Sequence, residues 1–85
     1  MPANQKVFPE ITREKYDVFR QEVREKTWIP PYSDNGFLRG AGLFADLTFD
    51  EPGQTIAIRV RDLPKGETHM SFFNKVEDIL KSITV

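Results

Sequence analysis

His69 is the single histidine of the chain, and Glu67 and Ser71 stand two positions to either side of it. A base, a carboxylate and a hydroxyl are the groups nucleophilic catalysis uses, provided that space rather than sequence brings them within hydrogen-bond reach. This stretch leads into a helical pattern, where Thr68 or Ser71 serves as the cap, and His69 reads as an exposed or capping histidine. The carboxylates Asp46, Asp50, Glu51 and Asp62 are the other acid-base candidates. Two carboxyls work together only where a cleft drives their pKa values apart, and these four surround a strand pair that offers none. Asp46 reads as the partner of Arg59, and Asp50 and Glu51 as loop residues. One histidine and no cysteine leave neither a thiolate zinc site nor a transition-metal ligand set. The expectation is a noncatalytic protein without cofactor or metal; an enzyme would have only His69, Glu67 and Asp62 to use.

Residues 40–45, Gly-Ala-Gly-Leu-Phe-Ala, match the G-x-G-x-x-A form of the dinucleotide fingerprint. That motif works only between a strand and a helix, whose first amides meet the pyrophosphate. Here it leads into an alternating strand pattern, so the glycines read as a bulge or bend.

Two groups of residues suit binding. Trp28, Tyr32 and Phe37 surround Pro30-Pro31, a segment that no helix can include. Trp and Tyr each combine a large apolar body with one polar handle, which fits a half-buried seam or a partner interface, and both readings stay open. The second group is Phe44, Arg59 and Arg61, on the outward side of a strand pair whose inward side is apolar. Arginines beside an aromatic on a sheet face can stack bases and track phosphates, although Asp46 among them opposes that use.

The elements that position these residues follow from periodicity. Residues 1–9, with Pro2 and Pro9, read as a flexible N-terminal arm, mobile unless Val7 and Phe8 dock, and residues 10–85 as one small domain. Thr12 caps a helix that reaches about Lys26 and directs Tyr16, Phe19 and Val23 to one side, with Val18 exposed on the other. Asn35-Gly36 supplies turn chemistry, and a third short strand over about 37–40 is an option. Residues 43–49 and 55–60 alternate apolar and polar around Asp50-Glu51-Pro52-Gly53, which makes a β-hairpin. Both apolar faces meet one core only if paired residue numbers sum to an odd value. Either Leu47 faces Ile56 across the longer loop, or Phe49 faces Ile56 and Asp46 faces Arg59 about Pro52-Gly53. An L-Pro-Gly turn of type II twists against a hairpin, which favours the longer loop. Phe72, Val76, Ile79, Leu80 and Ile83 then form the apolar face of a C-terminal helix that covers the hairpin. The fold class is α+β: a two-layer domain of N-terminal helix, β-hairpin and C-terminal helix packed on one sheet face.

Composition limits the partners. The 85 residues carry 12 basic and 13 acidic side chains, a formal charge of -1, which gives no general attraction to nucleic acid or anionic membrane. Neither a membrane span nor a signal-peptide pattern is visible, and the expected location is cytoplasmic. A two-stranded sheet is marginal alone, so a second copy pairing along 55–61 or 37–44 is one expectation. The functional expectation is a small soluble protein-protein interaction or dimerisation module using Trp28, Tyr32, Phe37 and the outer hairpin face. The alternative is single-stranded nucleic-acid binding through Phe44, Arg59 and Arg61.

Overall fold

The computed structural model describes residues 4–84. In chain order the elements are β1 (Gln5–Phe8), α1 (Arg13–Glu25), β2 (Asn35–Gly40), β3 (Leu43–Asp50), β4 (Thr55–Asp62) and α2 (His69–Ser82). The strands make one antiparallel sheet in the order β1-β4-β3-β2, so the expected hairpin is the centre of a four-stranded sheet. The third strand is β2 and the fourth is β1. The segment read as a flexible arm therefore holds an edge strand, with Phe8 buried and paired to Ile56; residues 1–3 of that arm lie outside the described residues.

Alternation fixes which side is core. Leu43, Ala45, Leu47 and Phe49 of β3, Ile56, Ile58 and Val60 of β4, Leu38 of β2 and Phe8 of β1 are all buried on the inner face. Tyr16, Phe19 and Val23 of α1 and Phe72, Phe73, Val76, Ile79 and Leu80 of α2 cover them, so both helices lie on that one side. Val18 is half-buried, packed against this cluster rather than exposed. Thr12 caps α1 by accepting from Lys15 N–H, and Thr68 caps α2 in a reciprocal box with Ser71.

The hairpin register is the one the sequence argument disfavoured: Phe49 faces Ile56 and Asp46 faces Arg59. The objection to a Pro-Gly type II turn fails because Gly53 keeps an ordinary φ, and the left-handed residue is Gln54, at φ 54°. Gln54 N–H closes the turn on Glu51 O at 3.1 Å, and Gln54 O accepts from Ile11 N–H at 2.8 Å, tying the turn to the start of α1. Asn35 and Gly36 are also not a turn; they open β2, and neither takes positive φ. The turn between β2 and β3 is Ala41-Gly42, with Gly42 at φ 78°, where a Cβ would lie 2.9 Å from Pro64 Cα. The G-x-G-x-x-A match is thus a strand-to-strand turn without a following helix.

Candidate functional site

Because both helices pack on the inner face, the outer face of the sheet has no covering element among the described residues. It presents Phe37 and Arg39 from β2, Phe44, Asp46 and Thr48 from β3, Ala57, Arg59 and Arg61 from β4, and Gln5 and Val7 from β1. Phe37, Asp46, Arg59 and Gln5 lie in one cross-strand row. Phe37 and Phe44 are diagonal neighbours, with ring centroids 4.9 Å apart and planes tilted by 31°. A bulge between Phe44 and Ala45 leaves Arg61 unpaired in the ladder. Its Nε therefore donates to Asp46 Oδ2 at 2.6 Å, replacing the Asp46 to Arg59 pairing expected from sequence. Arg39 and Arg59 form no ion pair among the described residues.

The β2 edge is closed by an arch, residues 28–33. Ile29 exchanges both backbone hydrogen bonds with Arg39, at 2.6 and 3.0 Å. Pro30 and Pro31 are buried, and Ser33 Oγ takes up Asn35 O at 2.9 Å. Alternation of the ladder leaves Phe37 as the one β2 residue with outward backbone groups between those two attachments. On the other side β4 is already paired by β1. Neither stretch expected to pair with a second copy offers an open row of backbone groups.

Tyr32 stands at the crest of the arch and is 92% exposed, while its carbonyl is held by Arg20 Nη1 at 3.0 Å. A cleft of about 270 Å³ separates it from Phe37 and Arg39, with Ile29 and the two prolines as its floor. Behind it a second cleft of about 320 Å³ is lined by Arg24, Thr27, Trp28, Ile29 and Pro30. Tyr32, Phe37 and Phe44 are thus brought onto one apolar strip that runs from the arch to the outer sheet face. Ile29, 53% exposed, belongs to it and was missed, since an isoleucine before prolines carries no sequence signal for exposure. Arg59 lies beside the strip. Trp28 turns to the inner side, half-buried, its ring 5.5 Å from Phe72 and so close to β2 that a Cβ on Gly40 would lie 2.8 Å from Trp28 Cδ1.

Carboxylates near the strip are each held by an arginine: Asp17 by Arg20, Asp34 by Arg13, and Asp46 by Arg61. The Arg13 guanidinium, donating to both Asp34 oxygens at 2.7 and 2.9 Å, draws that carboxyl below the usual range. Before and along α2, Lys75 and the Ser71 hydroxyl both bind Glu67 and lower its pKa. Exposed His69 makes no hydrogen bond to Glu67 or Ser71, and Asp62 accepts from Leu63 N–H at 3.0 Å. No hydrogen bond among the described residues links His69, Glu67 and Asp62 to one another. No group of three or more metal-ligating side chains is gathered among the described residues, and no helix there is long and apolar enough to cross a membrane. No protein-family model matches the chain, and comparisons with curated proteins and with solved structures gave no significant match.

Proposed function

We propose that this protein is a noncatalytic interaction module whose contact surface is the strip Ile29, Tyr32, Phe37 and Phe44. The observation that supports this reading is the grouping of exposed apolar side chains: Tyr32 at 92%, Ile29 at 53% and Phe37 at 48% exposure border one cleft. Single exposed hydrophobic residues need no explanation, but a contiguous set rimmed by arginines has the composition of an interface core. Tyrosine and arginine are also the residue types that most often dominate binding energy. With both sheet edges occupied or short, a partner meets side chains here rather than adding a strand.

The test compares the wild type with a Tyr32→Ala, Phe37→Ala double variant, both checked for folding by thermal melts. Proteins retained from the native lysate by the wild type and lost by the variant support the module. Sedimentation of both over a concentration series separates a second copy from a foreign partner. Identical retention and identical sedimentation would remove the proposal.

A second reading, single-stranded nucleic-acid binding, draws on the uncovered four-stranded face with Phe37 and Phe44 beside the unpaired Arg39 and Arg59. It requires salt-dependent retention of a single-stranded oligonucleotide that Arg39→Glu with Arg59→Glu abolishes.

A further inference from the structure

Three clefts border Tyr32; one, of about 370 Å³, holds the ion pair of Asp17 and Arg20, and the two that share Ile29 differ from it in charge. Arg24 lines one and Arg39 the other, and neither cleft has a carboxylate in its lining. Neither arginine has an ion-pair partner among the described residues, while Asp17, Asp34 and Asp46 are ion-paired with Arg20, Arg13 and Arg61. A chain of formal charge -1 thus sets the unpaired Arg24 and Arg39 against an exposed apolar strip, with unpaired Arg59 beside it on the outer sheet face. Low-dielectric walls of proline, isoleucine and aromatic carbon strengthen the field of such charges.

Resting on the interaction reading above, we propose that the occupant of this strip is an acidic peptide segment of another protein with at least one large apolar side chain. The clefts, of about 320 and 270 Å³, each admit a side chain rather than a folded surface, and the Tyr32 ring forms the ridge between them. A segment crossing that ridge places apolar side chains in the clefts and carboxylates over Arg24 and Arg39. The guanidinium fork pairs with a carboxylate through two parallel hydrogen bonds. Buried Pro30 and Pro31 fix the floor before binding, so little ordering opposes association. A nucleic-acid strand fits less well. Asp46 stands between Phe37 and Arg59 in the cross-strand row and opposes a phosphate there, and Phe37 and Phe44 tilt against each other instead of presenting a flat stacking face.

Selection from a random peptide library displayed on phage tests the occupant, with wild type and an Arg24→Glu, Arg39→Glu double variant as baits and thermal melts confirming both folds. The expected result is enrichment of Asp and Glu beside Leu, Phe or Tyr on the wild type, with affinity falling about tenfold or more on the variant. Tyr32→Ala should abolish binding of the same peptides. Neutral or basic winners whose binding still depends on Tyr32 would overturn the charge inference and leave the interaction module standing. No enrichment on the wild type would overturn the peptide assignment, and the lysate comparison would then decide the module separately. Oligothymidylate bound more tightly than any selected peptide, with affinity falling as salt rises, would assign the strip to nucleic acid instead.

Discussion

Tyr16 shows how much one side chain determines here. Arg13 lies over the Phe49 ring at 5.0 Å, Phe49 stacks on Tyr16 at 4.4 Å with planes 12° apart, and Arg20 lies over Tyr16 at 5.0 Å. Two aromatic rings between two guanidinium groups join α1 to β3, and the Tyr16 hydroxyl donates to Ser33 O at 2.7 Å, anchoring the foot of the arch. Burial pushes the Tyr16 phenol up to about 12. An acid whose folded pKa is raised supports the fold fully below its unfolded pKa, near 10, and loses that contribution as pH rises toward the folded value. Between pH of about 10 and 12 the unfolded chain has released this proton and the folded chain has not, so stability falls with pH. Allowing for water near the hydroxyl, the loss is about 1–2 kcal/mol. Tyr16→Phe should therefore flatten the alkaline arm of a stability-pH profile while costing about 1 kcal/mol at neutral pH for the missing hydrogen bond. Thermal melts across the alkaline range check this, and an unchanged alkaline slope would contradict it.

Among the elements, those with strong period were legible and those fixed by distant partners were not. The faces of α1, α2, β3 and β4 follow from spacing, because each must turn one side to a shared core. The strand β1 has only four residues, and Phe8 is its one buried side chain, so nothing local distinguishes it from an arm; pairing with β4 makes it a strand. The hairpin register was likewise decided by Gln54 adopting a conformation that local propensity assigns to glycine. The end of α1 repeats that theme. Trp28 N–H reaches Val23 O at 3.0 Å and Thr27 N–H reaches Arg24 O at 3.0 Å, the paired bonds of a Schellman motif. The left-handed position of that motif is held by Thr27, at φ 66°, a β-branched residue where glycine is usual. The motif is kept because it turns the chain so that Trp28 reaches Phe72. Removing the strain with Thr27→Gly should stabilise the protein by roughly 0.5–1 kcal/mol, the relief of about 1–2 kcal/mol being partly offset by glycine's freedom in the unfolded chain. For a domain of this size that is a rise in melting temperature of about 3–6 °C. A fall would show that the threonine makes a contribution the backbone geometry does not capture.

At the scale of the whole molecule, one segment divides its two aromatic residues between folding and surface. The sequence placed Trp28 and Tyr32 in one candidate set because both flank Pro30-Pro31, and it could not say which way either ring turned. Direction is set by the arch: Ile29 is pinned to Arg39, the prolines are buried, and the Trp28 ring packs on Phe72 while the Tyr32 ring stays exposed. Phe37, Phe44 and Arg59 were legible as outward residues because strand alternation assigns them, whereas Ile29 became visible only with the bridge to β2. This division predicts that the two alanine variants behave differently. Trp28→Ala removes a ring packed on Phe72 and leaves the space beside Gly40 empty, so it should destabilise by about 2–4 kcal/mol, the range for large buried aromatics reduced for partial exposure. Tyr32→Ala removes a ring that is 92% exposed and should change stability by less than about 0.5 kcal/mol. Urea unfolding of both variants measures this directly, with m-values confirming that the folded states remain comparable. Binding should respond in the reverse order, with capture lost in Tyr32→Ala and retained in Trp28→Ala under conditions where that variant is folded. If Tyr32→Ala instead unfolds the protein, its ring is bound to the body of the domain and is not free to meet a partner. If both fold and both bind, the strip centred on Tyr32 is not the contact surface.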